Sequence, residues 1–224
     1  MLFDVSARID RLRAEVAQAG RALAGSGLVV GVAGNLRARA GELVAVSPTG
    51  ARLAQLTAGE VAVVDLEGGL VDAPLVPTSE LAVHLAIYRH YEAAAVVHTH
   101  PPMATAVACV ADELPCFHYS LLALGGEVRV ARYATFGTAE LAASVVEALE
   151  GRTAALMGSH GAVTYGDSQQ AAIEATELLE WAGTVYLHAR ACGTPRELDH
   201  DERRAVVAAL ATYRLEGRRP PEPS

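Results

Sequence analysis

Two histidines at the end of an apolar run are the first residues in this sequence that could carry chemistry. The run reads Val-Val-His98-Thr99-His100-Pro. In a strand, side chains two residues apart project from the same face roughly 7 Å apart, which lets both imidazoles turn onto one metal ion. The pattern therefore indicates a metal site, although packing and surface histidines can show the same spacing.

A third histidine follows another apolar run, in the sequence Met-Gly-Ser-His160-Gly. Its glycine-flanked turn can aim the imidazole across the sheet ends toward His98 and His100. Three histidines with an open fourth position are typical of catalytic rather than structural zinc. The alternative is that His160 only fills a loop.

The segment Pro-Thr78-Ser79-Glu80 stands directly before an apolar helical pattern. Thr78 or Ser79 can cap that helix, and the free amides at the helix N-terminus attract an anion. The Glu80 carboxylate can complement the positive end of the helix dipole. Helix capping alone would explain all three residues.

Two other turns carry a glycine beside a polar side chain. Asn35, which is the only asparagine in the chain, follows Gly34, and Thr49 precedes Gly50. Each turn can present backbone amides and a polar side chain to a phosphate, and each is also an ordinary turn sequence.

Composition limits the chemistry and the partners. All 18 basic residues are arginine, so a lysine Schiff base is excluded and carbonyl chemistry would need a metal. With 26 acidic residues the net charge is -8, which gives no basic surface for nucleic acid or an anionic membrane. The sequence has no membrane-length apolar run and no signal-peptide core, and its three separated cysteines fit reduced, buried thiols. We therefore expect a cytoplasmic protein with small-molecule or protein partners.

The elements that must position these residues alternate between strands and helices. The predicted helices cover residues 3–24, 79–91, 102–110, 137–150 and 167–191, the last capped by Asp167. The predicted strands cover residues 28–32, 43–46, 61–65, 94–98, 127–131 and 153–157. This order favours one α/β domain over residues 1–216, with three α/β/α layers around a central mixed, largely antiparallel sheet. The tail at 217–224 is rich in proline and arginine and is predicted to be disordered.

Taken together and in this order, the motifs resemble the class II aldolase/adducin family. The resemblance runs from the first helix to about Tyr213. It rests on Gly34-Asn35 with Arg39, Ser47-Pro48-Thr49-Gly50, Thr78-Ser79-Glu80, His98-Thr99-His100 and Ser159-His160-Gly161. It extends to Phe117-His118-Tyr119, Gly125-Gly126 and Tyr133-Ala134-Thr135-Phe136-Gly137-Thr138.

The resemblance implies a lyase that uses zinc or another divalent metal. It would cleave a ketose 1-phosphate, such as L-fuculose 1-phosphate, reversibly to dihydroxyacetone phosphate and a small aldehyde such as lactaldehyde. Glu80 would be a metal ligand at rest and would move off to act as base. The other metal ligands would be His98, His100 and His160. The phosphate would lie among Gly34, Asn35, Thr49, Gly50, Thr78 and Ser79.

The resemblance also implies a homotetramer with its sites between subunits. Tyr119 from a neighbouring subunit would be the acid on the aldehyde side, and Phe136 and Tyr213 would shape the aldehyde pocket. One residue departs from the family pattern, because Arg37 stands where a serine is usual. An arginine there could contact the phosphate through two hydrogen bonds or point into solvent.

Other reactions remain open within the same family. Enzymes that resemble ribulose-5-phosphate 4-epimerase use the same cleavage and add the aldehyde back after rotation, but they carry aspartate where Glu80 stands. Glu80 therefore favours an aldolase. Dehydratase and decarboxylase relatives share the enediolate chemistry. An adducin-like binding module would keep the fold without the histidines, and the three histidines argue against it.

Overall fold

The computed structural model describes residues 2–216, with side chains from Val5 to Thr212, so the predicted tail at 217–224 lies outside the described residues. The strands in this part of the chain are β1 (Asn35–Ala40), β2 (Leu43–Val46), β3 (Ala62–Asp65), β4 (Leu70–Asp72), β5 (Ala95–Thr99), β6 (Glu113–Leu114), β7 (Val128–Ala131), β8 (Ala154–Met157) and β9 (Gly161–Gly166). The α-helices are α1 (Leu2–Gly25), α2 (Leu81–His90), α3 (Pro102–Ala108), α4 (Ala139–Ala148), α5 (Gln169–Cys192) and α6 (His200–Glu216).

All nine strands form one sheet in the order β4-β3-β2-β1-β5-β9-β8-β7-β6. Every neighbouring pair is antiparallel except β7 and β8, which run parallel. The prediction of a mixed, largely antiparallel sheet is therefore confirmed. Two of the candidate site residues, His98 on β5 and Asn35 at the start of β1, lie on neighbouring strands in the middle of the sheet.

Helices cover both faces of this sheet. Because side chains alternate along a strand, Val96 packs in the core beneath α2 and α4, whereas Val97 packs in the core beneath α1. A third cluster joins α3 and α5 to the sheet through Leu156 and Ala162. The three-layer arrangement is thus the one the sequence predicted.

The prediction of a strand at 28–32 is wrong. Gly31 has a φ of 64°, and the amide of Ala33 donates to the carbonyl of Val30 at 3.0 Å, so the chain turns there. The first strand begins only at Asn35. Five elements were not predicted at all, namely β1, β4, β6, β9 and α6. The other predicted elements are present with boundaries shifted by a few residues.

Two predicted helix caps are also wrong. At α2 the N-cap residue is Glu80, and no side chain caps the helix. Thr78 instead accepts a hydrogen bond from the amide of Glu80 at 3.4 Å. At α5 the cap is Ser168 rather than Asp167, because the Ser168 hydroxyl accepts from the third helical amide at 3.2 Å.

The structure bears on two predictions drawn from composition. Among the described helices, none combines the length and the apolar character needed to cross a membrane. Cys109, Cys116 and Cys192 are free thiols as predicted, but only Cys116 is buried.

Candidate active site

His98, His100 and His160 converge at one end of the central strands. His98 lies in β5, and His160 lies in the turn between β8 and β9. The pairing of β5 with β9 sets Thr99 opposite Ala162, which brings that turn beside the end of β5. The ring centroids are 4.9 Å apart in all three pairs, and one nitrogen from each ring lies within 4.8 Å of the others. The structure therefore brings together the three histidines that the sequence singled out.

The turn that carries His160 has an unusual backbone. Ser159 has a φ of 51°, the only positive φ of a non-glycine residue in the described chain. At Gly161 a Cβ atom would stand 2.5 Å from the carbonyl oxygen of Thr99 and 2.8 Å from the His100 ring. Only glycine allows this close approach. The turn can therefore lie directly against the end of β5 and hold His160 there.

Hydrogen bonding fixes the tautomer of His98. Its Nδ1 lies 2.9 Å from the carbonyl oxygen of Ala162, which can only accept, so Nδ1 carries the proton. Nε2 points into the cluster, 3.0 Å from Nε2 of His100, and in the neutral ring it carries the lone pair. A backbone carbonyl that orients an imidazole in this way is a common second partner of metal-binding histidines.

The Glu80 carboxylate closes the cluster. Its Oε2 lies 3.1 Å from Nε2 of His98, and its Oε1 lies 3.3 Å from Nε2 of His160. The Asn35 amide donates to Oε2 at 2.9 Å. Burial raises the pKa of Glu80, but the hydrogen bonds and charges of His98, together with Asn35 and His160, outweigh it and lower the pKa to about 2. Glu80 is therefore an anion at neutral pH.

These four side chains fit a divalent metal. The Nε2 atoms of His98 and His100 face each other at 3.0 Å, an arrangement that a shared cation stabilises. Oε1 of Glu80 is buried and makes no hydrogen bond among the described residues. Burial and the neighbouring histidine charges lower the pKa of His100 to about 4, and the same causes lower the pKa of His160. Neutral imidazoles and an ionised carboxylate are the forms in which these groups bind metals.

Strand register places Asn35 beside the metal candidates. Asn35 at the start of β1 is the partner of His98 in the β1–β5 ladder. Gly34 has a φ of 126°, and a Cβ atom there would lie 3.2 Å from the carbonyl oxygen of His98. The glycine thus permits the tight approach of the two strands. The side-chain amide of Asn35 donates its hydrogen bond to Glu80.

The other two predicted phosphate loops are neighbours. Pro48 and Pro77 form an isolated β-bridge, and the amide of Thr49 donates to the carbonyl of Val76 at 3.0 Å. Gly50 follows with a φ of 65°. Thr49, Gly50 and Ser79 are exposed, whereas Thr78 is buried. The structure brings these loops together, and their role in phosphate binding stays a prediction.

The aromatic candidates lie away from the core. Tyr119 begins a short 3-10 helix, and its ring stacks on His118 with centroids 4.6 Å apart. Tyr119 and Phe136 are both more than half exposed, at 52% and 63%. The Phe136 loop approaches the predicted phosphate loops, because a Cβ atom at Gly137 would meet the carbonyl oxygen of Ser79 at 3.0 Å. The side chain of Tyr213 lies outside the described residues.

Arg37 does not point into solvent, so that alternative is wrong. Its side chain is fully buried beneath α2, where Nη1 donates to the carbonyl of Leu81 at 3.1 Å. A phosphate contact would require the guanidinium to leave this position. Sequence reasoning also missed His84, a fully buried polar residue on α2. Its spacing of four residues from Glu80 was the available signal, since such residues share one helix face.

Comparison with known proteins gives this site its context. The sequence model described as "Class II Aldolase and Adducin N-terminal domain" matches residues 14–187 of the chain. The chain belongs to the class II aldolase and adducin family. Its relatives within the family carry aldolase names, so this family member is a lyase. The histidine cluster of this class II aldolase is a site that could hold its metal ion.

Several class II aldolases resemble the chain over most of its length. The 5-methylthioribulose-1-phosphate/5-deoxyribulose-1-phosphate aldolase of Rhodospirillum rubrum is 36% identical over 204 residues, which is 90% of this chain and 92% of that protein. L-fuculose phosphate aldolase of Escherichia coli is 35% identical over 192 residues, with 84% of this chain and 89% of that protein covered. A solved structure of an L-fuculose 1-phosphate aldolase superposes with a TM-score of 0.86 at 31% identity, covering 90% of this chain and 96% of that one.

Proposed function

We propose that this class II aldolase uses zinc to cleave a ketose 1-phosphate reversibly to dihydroxyacetone phosphate and a small aldehyde. The observation that carries the proposal is the contact of the Glu80 carboxylate with His98 and His160, which holds a base against the metal ligands. His98, His100 and His160 would hold the metal with Glu80. Bound zinc would supply the Lewis acidity that carbonyl chemistry needs in a chain without lysine.

Glu80 has two roles that need two positions. The donors that lower its pKa to about 2 also make it a weak base. Once the carboxylate moves off His98 and Asn35 toward a substrate, it loses these donors and its basicity rises. In the aldol direction it would then remove a proton from the carbon next to the carbonyl of dihydroxyacetone phosphate. In the cleavage direction it would return that proton after the carbon–carbon bond breaks.

Tyr119 would serve the other half of the reaction. In the aldol direction its hydroxyl would donate a proton to the aldehyde oxygen, and in cleavage it or a water would take that proton back. Its exposure at 52% suits a residue that completes a site on another copy of the chain. We propose a homotetramer in the cytoplasm, with Tyr119 reaching a neighbouring subunit's metal centre.

The substrate would be held at both ends. Asn35 and Gly34, with the adjoining loops at Thr49-Gly50 and Thr78-Ser79, would surround the phosphate. Phe136 and Tyr213 would shape the pocket for the aldehyde.

The relatives differ in the aldehyde part of their substrates. The Rhodospirillum rubrum relative is named for 5-methylthioribulose 1-phosphate and 5-deoxyribulose 1-phosphate, and the Escherichia coli relative for L-fuculose phosphate. All of these sugars place the phosphate on carbon 1 and would release dihydroxyacetone phosphate. The aldehyde would be lactaldehyde from fuculose, acetaldehyde from 5-deoxyribulose, or a methylthio-aldehyde. We propose this group of sugars as the substrate class.

A cleavage assay over a panel of ketose 1-phosphates tests the proposal. The panel contains L-fuculose, 5-deoxyribulose and 5-methylthioribulose 1-phosphates, and dihydroxyacetone phosphate is measured with an indicator enzyme. We expect cleavage of at least one sugar, its loss with a chelator, and its return with zinc. Ribulose 5-phosphate is included to detect epimerisation. Epimerisation without cleavage, or cleavage that resists complete metal removal, would contradict the proposal.

A further inference from the structure

Polar side chains form a ladder between β1 and α2 behind the metal centre. Two residues along a strand advance about 6.6 Å and four along a helix about 6 Å, so polar positions at these spacings stay opposite each other. On β1 the positions are Asn35, Arg37 and Arg39; along α2 they are the N-cap residue Glu80, then His84 and Tyr88.

Three hydrogen bonds join the strand to the helix. Asn35 donates to the Glu80 carboxylate at 2.9 Å at the end nearest the metal centre. Arg37 donates to the carbonyl of Leu81 at 3.1 Å in the first turn of α2. At the far end, Arg39 donates to the carbonyl of Tyr88 at 3.2 Å. The ladder thus ties the whole of α2 to the central sheet.

Arg37 is the residue of this ladder whose burial opposes folding. Its side chain has no accessible surface, and Nε and Nη2 have no hydrogen-bond partner among the described residues. Burial lowers the pKa of Arg37 to about 9, so the guanidinium keeps its charge at neutral pH. An apolar side chain of similar length would fill this place without burying a charge, and would favour folding. A destabilising residue beside a catalytic centre points to a role in the site rather than in the fold.

We propose that Arg37 is a positioning residue, which holds the first turn of α2, and with it the Glu80 carboxylate, at the metal centre. The proposal rests on the proposed function, in which Glu80 is metal ligand and base. Leu81 directly follows Glu80, so the tether acts one residue from the carboxylate. The start of α2 needs such a tether because no side chain caps the helix.

The test compares Arg37→Met with a matched control, Arg39→Met. Both changes remove an arginine from the same face of β1, but Arg39 contacts α2 only at its far end. For Arg37→Met we expect an unchanged or higher melting temperature, a kcat lower by about tenfold and a nearly constant KM, because the fold loses a buried charge and the site loses its alignment. For Arg39→Met we expect a lower melting temperature and an unchanged kcat. Arg37→Lys keeps the charge and one donor, and should restore part of kcat.

Zinc affinity gives a readout that does not depend on turnover. Competition of the apoprotein with a chromophoric chelator should show a roughly tenfold weaker affinity in Arg37→Met, since loss of a residue that orients a ligand commonly costs this much. Arg39→Met should bind zinc like the unchanged protein. An Arg37→Met variant with unchanged kcat and zinc affinity would overturn the proposal, as would equal losses in both arginine variants.

A double-mutant cycle with Glu80→Gln separates this proposal from the proposed function. If Arg37 acts through Glu80, Arg37→Met should cause no further loss in the Glu80→Gln background. A full tenfold further loss would mean that Arg37 acts elsewhere. If Glu80→Gln alone leaves hydrogen exchange and cleavage intact, the role of Glu80 as base fails instead, and that outcome is read from the single variant.

Discussion

Glu80 is the residue on which the chemistry of this site converges. Its carboxylate contacts two candidate ligands, His98 and His160, while Asn35 donates to the same group. The residue is only 8% exposed, so these partners replace water. A carboxylate in this position can serve as ligand or base, and the two roles differ only by a movement of the side chain.

Replacing Glu80 with glutamine tests the base role. Glu80→Gln keeps the shape and the capacity to accept from Asn35, so we expect a folded protein. Because an amide cannot take the proton, exchange at the carbon beside the carbonyl of dihydroxyacetone phosphate should fall by at least about a hundredfold. Deuterium incorporation followed by NMR measures this rate. Glu92→Gln, at an exposed site, is the control, and undiminished exchange in Glu80→Gln would remove Glu80 as the base.

At the scale of elements, α3 sets the direction in which the chain leaves His100. The helix begins at Pro102, and its first free amides are capped from another element. The Glu180 carboxylate of α5 accepts from the amides of Met103 at 3.0 Å and Ala104 at 2.8 Å. This contact from across the fold holds the helix that directly follows a candidate metal ligand.

Loss of this cap should affect both stability and metal binding. For Glu180→Ala we expect a free energy of unfolding lower by about 1–2 kcal/mol, since the capping bonds are charged and partly buried. Zinc affinity should fall as well, because His100 loses its fixed position. Urea unfolding and zinc titration measure the two effects. Glu177→Ala, on the exposed side of the same helix, should change neither, and a stable Glu180→Ala variant would show that α3 does not depend on the cap.

The attachment of α6 has its own pH dependence. Glu127 pairs with Arg152 from the sheet side and with Arg203 of α6 at 2.9 Å. Partial burial raises the pKa of Glu127, but its backbone hydrogen bond and the arginine charges outweigh it and hold the pKa below the ordinary 4.5. A lowered pKa means that the ion pair stabilises the fold above that pH and is lost as the pH falls through the lowered value.

Glu127→Gln should therefore matter at neutral pH and not in acid. We expect the variant to lose about 1 kcal/mol at pH 7, and the difference from the unchanged protein to shrink as the pH falls through the lowered pKa of Glu127. Thermal unfolding across this range measures the convergence. Glu147→Gln breaks an exposed pair with Arg132 and should change stability little at either pH. An equal Glu127→Gln deficit at both pH values would contradict this account.

The elements show how far the sequence leads. Short apolar runs predict β2, β5, β7 and β8, because helices cover both faces of the sheet and most residues of those strands are buried. This signal fails for β1, whose face toward α2 carries Asn35, Arg37 and Arg39. The apolar run at 28–32 misled because Val30 and Val32 are 58% and 48% exposed around a turn.

Some residues of the candidate site could be identified from the sequence, and others could not. The three histidines, Glu80 and Asn35 could be singled out because their motifs occur together and in the order that resembles the family, although each motif alone had another explanation. The buried position of Arg37 beneath α2 could not, since a charged residue in a strand predicts an exposed face until its covering helix is known.

At the scale of the whole molecule, the proposed sites between subunits allow a test by mixing. Glu80→Gln and Tyr119→Phe should each be slow alone. If each site takes Glu80 from one subunit and Tyr119 from its neighbour, co-expression should give intact sites in about a quarter of cases. Activity of purified mixed oligomers measures this recovery. Co-expression of Glu80→Gln with a double Glu80→Gln, Tyr119→Phe chain should recover nothing, and the same result for the two single variants would place Tyr119 within its own subunit.

The pairing of Asn35 with His98 has a consequence for folding. A strand that shifts by one residue turns every side chain to the opposite face of the sheet. If β1 paired with β5 one residue out of place, Asn35 would face α1 and Glu80 would lose its donor. A metal ion would then bind only chains in which the two central strands are correctly aligned. Its binding would stabilise the correct register over the shifted one, in addition to any part it takes in the reaction.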